Sequence, residues 1–152
     1  MIHGAMAGVH RQVHNIKREL HDRFGAEEMD PWLLHVNGAL AEVAAAKVLN
    51  LPWTAMGALG DHGGPDVGSF IEVRWCKLAD GHLLVHKKDQ DDRAFLLVTG
   101  KAPSYTLRGW ALGKDAKLDV YWRPGKRPCY FVPQGVLESI DFLRTEAVRR
   151  RP

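Results

Sequence analysis

Met6, Val9, Val13, Ile16 and Leu20 recur at alternating spacings of three and four residues, and Phe24 falls next on the same stripe. That period predicts an amphipathic helix ended by Gly25, its apolar face packing on the core or on a second copy of the chain. Asp30-Pro31 supplies a cap and a first-turn residue, and predicts a second helix reaching about Leu49. After Pro52 the period shortens. In residues 70–75 the apolar Ile71, Val73 and Trp75 alternate with Glu72 and Arg74, so a strand here sends both charges to one face. Asp80-Gly81, between apolar segments at 69–78 and 82–86, predicts a two-residue hairpin. The unbroken run Ala94-Phe95-Leu96-Leu97-Val98-Thr99 is of central-strand type. Further strands are expected at 105–112 and 129–132. A closing helix is expected at 133–144, with Val136, Leu137, Ile140 and Leu143 on one face, followed by a basic tail at Arg149, Arg150 and Arg151.

Candidate chemistry concentrates in Gly63-Gly64-Pro65-Asp66-Val67-Gly68-Ser69-Phe70-Ile71-Glu72-Val73-Arg74-Trp75. A carboxylate follows a Gly-Gly-Pro break, a second stands six residues on, and a cation follows two residues later. A Mg²⁺-dependent phosphodiesterase site would be built this way. Fully extended, Asp66 and Glu72 would lie roughly 20 Å apart, too far to share an ion. Gly68 offers the bend that folds Asp66 back beside Glu72. The plainer alternative is a turn leading into an amphipathic edge strand.

These residues resemble the PD-(D/E)xK nuclease signature, with Pro65-Asp66 as its first half and Glu72-Val73-Arg74 as its second, Arg standing where Lys is usual. The likeness spans roughly residues 37–133 and is of the small phage and prophage type. It implies an α/β fold, a restriction-endonuclease-like sandwich with a mixed central β-sheet flanked by helices, and a further acid on an upstream helix. Glu42 answers to that acid, the only one between Asp30 and Asp61, with Gly38, Ala39, Ala45 and Ala46 as small helical neighbours that let its face lie close to a sheet. A carboxylate partly buried there needs a cation or donors. The resemblance further implies Mg²⁺, with Mn²⁺ able to substitute, held by Asp66, Glu72, the carbonyl of Val73, and Glu42 directly or through water. Arg74 cannot act as a base at neutral pH, but it can orient water or neutralise charge on phosphorus. Lys77, on the opposite strand face, and Lys87 or Lys88 are alternatives for the missing lysine. His62 is a candidate contact to substrate.

A chain of 152 residues, 45% hydrophobic, suits one domain with a real core, here taken as 1–152. No run approaches a membrane span and no cleavable leader is evident, so a soluble, cytoplasmic protein without membrane partners is expected. Cys76 and Cys129 lack CxxC spacing and are read as reduced packing residues. His10 and His14 could bracket a metal across one helical turn, but no Glu completes an HExxH pattern, so surface or interface roles are preferred. Net charge is +3 and unevenly placed: residues 1–100 hold 10 Lys/Arg against 13 Asp/Glu, residues 101–152 hold 11 against 5. The basic third, with Lys101, Arg108, Arg123, Lys126 and Arg127 interleaved with Tyr105, Trp110, Tyr121 and Trp122, suits a phosphate backbone and makes DNA the expected partner. Three functions are compatible with these features: a Mg²⁺-dependent DNA nuclease, a weak or inactive nuclease-fold protein that binds nucleic acid, and a protein-interaction module pairing through the first helix.

Overall fold

The computed structural model describes residues 1–18, 30–54 and 64–149. In chain order these form α1 (Ile2–Lys17), α2 (Pro31–Leu49), β1 (Ile71–Cys76), β2 (Leu83–Val85), β3 (Ala94–Lys101), β4 (Ser104–Leu112), α3 (Gly113–Ala116), β5 (Trp122–Arg123), β6 (Cys129–Val132) and α4 (Ile140–Arg149). The architecture is mixed α/β. One central sheet was expected; two three-stranded sheets are found, ordered β1-β3-β4 and β2-β6-β5. The first is mixed, since β1 runs parallel to β3 while β3 and β4 are antiparallel, and the second is antiparallel throughout.

The unbroken apolar run of β3 explains this layering. Leu96 and Val98 face one core, shared with Ala41, Ala45, Ala46 and Leu49 of α2, Ile71 and Val73 of β1, and Leu143 and Ala147 of α4. Phe95 and Leu97 face another, shared with Leu83 and Val85 of β2 and Tyr130 and Val132 of β6. A strand buried on both faces needs no polar positions. Helices therefore cover one side of the β1-β3-β4 sheet and the second sheet covers the other, instead of helices on both sides.

The hairpin expected at Asp80-Gly81 does not form. A turn is present, with the Gly81 amide donating to the Leu78 carbonyl at 3.1 Å, but β2 pairs with β6. Both edges of β1 are already engaged. One carries β3; on the other, the amides of Asp66 and Val67 donate to the Ile71 carbonyl at 2.9 and 3.1 Å. The closing helix also starts later than its apolar spacing indicates. Glu138 exchanges two backbone hydrogen bonds with Trp110, at 2.8 and 3.1 Å, which holds residues 137–139 extended and leaves Val136 exposed.

The second helix begins and ends as its caps require. Asp30 Oδ1 accepts from the Trp32 amide at 2.9 Å, and Asn50 adopts the left-handed conformation (φ 54°) that closes it. Of the two arrangements expected for the apolar stripe of the first helix, packing on the core is not found. Gly4, Ala7, Gly8 and Gln12 are buried, while Met6, Val9, Val13 and Ile16 are exposed. Small residues decide this orientation. A Cβ on Gly8 would stand 2.5 Å from Val36 Cα and 2.6 Å from the His35 carbonyl oxygen, so α1 lies backbone against backbone on α2. Leu20, His21, Phe24, Gly25, His62, Gly63 and the arginines at 150 and 151 lie outside the described residues.

Candidate active site

Asp66 is placed beside β1 by the turn foreseen at Gly68, which takes φ 61° and donates to the Pro52 carbonyl at 2.8 Å. The Asp66 amide is bonded to Ile71, and its carbonyl accepts from the Thr54 amide and hydroxyl at 3.1 and 3.0 Å. With both backbone groups held, the side chain reaches along the outer edge of β1, where Oδ2 accepts from the Val73 amide at 2.8 Å. The N–H and C=O of one strand residue point to the same side. The Val73 carbonyl therefore shares this edge with Asp66.

Glu42 and Glu72 approach from opposite faces of the sheet. Glu42, 5% exposed, comes from α2. Its carboxylate accepts two bonds from the Arg11 guanidinium, at 2.6 and 2.8 Å, and a third from the Trp53 indole at 3.0 Å. The buried acid thus has the cation and donor that its position demands. Burial works against the Arg11 charge, but Glu42, helped by Asp66, holds its pKa above the ordinary value. Glu72 projects to the face shared with Phe95 and Leu97. Arg93 donates to Glu72 Oε1, and Arg74 stands 3.6 Å from Oε2.

Asp66 lies between these two acids with less compensation than either. Burial, then Glu42, then Glu72 push its pKa up to about 7, against the stabilising Val73 amide and Arg74. A carboxyl group so placed favours either a proton or a cation. The hard oxygens of Asp66, Glu72 and the Val73 carbonyl suit Mg²⁺ in kind. In their present arrangement Glu42 is committed to Arg11 and Trp53, and Glu72 to Arg93 and Arg74. No group of three His, Cys, Asp or Glu side chains among the described residues is placed to hold a metal ion. The fit therefore rests on Asp66 and Glu72, with water completing the coordination.

Arg74 is tightly surrounded. It pairs with Asp89 at 3.0 Å, and its guanidinium carbon lies 5.0 Å from the centre of the Phe95 ring. Asp89 Oδ2 also accepts from the His86 amide at 2.9 Å. Burial lowers the His86 pKa, partly countered by Asp89. Lys77, Lys87 and Lys88 are exposed, and the Lys87 ammonium lies 4.4 Å from the Trp122 ring centre.

The expected phosphate contacts divide into two groups. Val85 pairs with Tyr130 and Arg123 with Cys129. Arg123, Lys126 and Arg127 accordingly gather at one end of the second sheet, next to Asp89 and Arg74, together with Lys87 and Lys88, which were expected only as alternatives for the missing lysine. Lys101 pairs with Ser104 at the far tip of the β3-β4 hairpin, six residues and roughly 20 Å along the strand from Phe95. Arg108 is bound to Thr99 Oγ1 at 2.7 Å. The aromatic residues serve mainly the core: Trp110 and Tyr130 are buried, and Trp122 packs at 4.8 Å on Tyr130. Cys76 and Cys129 are free thiols.

Arg11, Trp53, Asp89 and Arg93 were not anticipated from the sequence. Arg11 alone had a local signal, standing three residues after Gly8 on the small-residue face of α1. No protein-family model, curated protein or solved structure matches the chain. No helix among the described residues is long and apolar enough to cross a membrane.

Proposed function

We propose that this chain is a Mg²⁺-dependent deoxyribonuclease on a restriction-endonuclease-like fold, working in the cytoplasm, with Asp66 and Glu72 as ligating side chains and the Val73 carbonyl beside them. The observation that carries the reading is the place of Asp66 on the outer edge of β1, bonded to the Val73 amide, with Glu42 coming from one face of the sheet and Glu72 from the other; burial first, and then these two acids, push its pKa up to about 7. Structural ion pairs lower carboxyl pKa values; a raised one at a cluster of acids is the pattern of a functional site.

A divalent cation supplies Lewis acidity, making water a better nucleophile and offsetting charge on the leaving oxygen. The protein's own groups do the rest. Asp66 and Glu72 fix the position of the positive charge relative to the strand edge. Glu42, already neutralised by Arg11, acts through its field or through water. Arg74 directs a permanent cation to the same face as Glu72 and stabilises charge on the phosphorus oxygens without accepting a proton. Lys87, Lys88, Arg123, Lys126 and Arg127 present a run of cations for the DNA backbone.

The deciding experiment is cleavage of supercoiled plasmid and of single-stranded DNA by the full chain with Mg²⁺, and again with EDTA. Cleavage that EDTA abolishes supports the proposal; its absence with every divalent cation tried rejects it. Two observations favour other readings. The ion pairs of Arg74 with Asp89 and Glu72 suit an inactive nuclease fold that only binds DNA. The exposure of Met6, Val9, Val13 and Ile16 suits an interaction module or homodimer pairing through α1.

Phosphate contacts predict a salt dependence. In Ca²⁺, used to support binding without turnover, DNA affinity should fall steeply as salt rises, and replacing Arg123, Lys126 and Arg127 by Gln should reduce the log–log slope by about 2 to 3. Fluorescence anisotropy across a salt series measures it. An unchanged slope would place the DNA surface elsewhere.

A further inference from the structure

Helix α1 is oriented against its own hydrophobicity. Burying a Val, Ile or Met side chain is worth about 1.5–3 kcal/mol, yet Met6, Val9, Val13 and Ile16 face outward while Arg11 turns inward. The inward face approaches α2 so closely that glycine is required at position 8. Arg11 then arrives with a side chain only 13% exposed, opposite a Glu42 side chain 7% exposed. Among the described residues its Nε is buried without a hydrogen-bond partner. Glu42 takes both terminal nitrogens of the guanidinium. A helix recruited only to cover the core would bury its apolar stripe and leave no orphaned donor. Local rules broken in this way concentrate at functional sites.

We propose that Arg11 is a positioning residue of the active site: its bidentate grip holds the Glu42 carboxylate in one place and orientation, and makes α1 part of the catalytic machinery. The inference rests on the hydrolase reading above. Arg11 acts through Glu42 and not on the substrate, because its guanidinium is enclosed and its terminal nitrogens are engaged. Trp53 reports on it directly, since the indole N–H is bonded to the Glu42 oxygen that also accepts from Arg11 Nη2.

The test uses the full chain, Arg11→Gln and Arg11→Lys. The Trp53 indole resonance, assigned by its loss in Trp53→Phe, is followed in ¹H–¹⁵N spectra without metal, and plasmid cleavage is resolved into kcat and KM. In Arg11→Gln the resonance should shift and kcat should fall at least about tenfold, the low end for loss of a group orienting a functional carboxylate, with KM for DNA unchanged. Arg11→Lys should recover part of kcat because the charge survives. Should Arg11→Gln fail to fold, Arg11→Gln/Glu42→Gln replaces the ion pair by a neutral amide pair of similar shape. A parent-like kcat in that double variant, or in Arg11→Gln, overturns the proposal, as does a raised KM at constant kcat, which would make Arg11 a DNA contact. An unmoved Trp53 signal overturns it as well. If the parent cleaves nothing, the hydrolase reading falls, and with it the catalytic role of Arg11, even if a moved Trp53 signal still shows the grip on Glu42.

Discussion

Asp66→Asn and Glu72→Gln should each abolish Mg²⁺-dependent cleavage while the protein stays folded. Either change removes one charge from the cation's surroundings and keeps the side-chain shape; in Asp66→Asn the amide oxygen can still accept from the Val73 amide. The same substitution at Asp66 should stabilise the metal-free protein in a pH-dependent way. A carboxyl whose folded pKa is raised, here from 3.8 to about 7, contributes stability that is fully present below about pH 4 and is lost as pH rises through 7. Asparagine does not titrate. In EDTA the Tm advantage of Asp66→Asn over the parent should therefore be small at pH 4 and grow to on the order of 5 °C at pH 8. Calorimetric scans at the two pH values measure this. A Tm difference that does not change with pH would mean that burial, Glu42 and Glu72 together do not raise the Asp66 pKa, and full cleavage activity in either variant would sink the site assignment. Glu42→Gln should do less harm to the rate than these two, because its carboxylate is already committed to Arg11 and Trp53.

Arg74→Ala should lose on the order of 10²–10³ in kcat, the range typical when one donor to transition-state charge is removed, with divalent-ion binding largely kept. Arg74→Lys should retain measurable activity, since the cation survives and the ammonium is the group usual at this position in the nuclease family proposed for the chain. An ammonium cannot reproduce the planar guanidinium that meets Asp89 and Glu72 while lying over Phe95, so this exchange is less than neutral. Single-turnover cleavage gives the rates, and Mn²⁺ titration monitored by electron spin resonance gives the binding. Parent-like cleavage by Arg74→Ala would reduce Arg74 to a structural partner of Asp89. Lys87, which lies at the same end of the second sheet, would then be the next candidate. Activity appearing only in Arg74→Lys would favour the inactive-nuclease reading.

Several features of this site were legible before any tertiary contact was known. The alternation of Ile71 and Val73 with Glu72 and Arg74 assigned each to a face of β1, because a strand has period two and leaves no other choice. Gly68 marked the turn that returns Asp66 to the strand, since φ 61° there suits glycine best. Asp30-Pro31 set the start of α2 and so the helical position of Glu42. Each inference uses bonds within a few residues, which sequence spacing encodes.

Competition between distant surfaces decided the rest. Apolar spacing in α1 identified a stripe, but close approach through Gly4, Ala7 and Gly8 turned that stripe away from α2 and brought Arg11 to Glu42, 31 residues apart. Asp80-Gly81 encoded a turn and nothing more, because the free edge of β1 is occupied by Asp66 and Val67 and β2 pairs with β6 instead. The pairing of Glu72 with Arg93 and of Arg74 with Asp89 has no periodic signature either. An ion pair depends on where two side chains end in space, and that becomes defined only when the sheet and helices have packed.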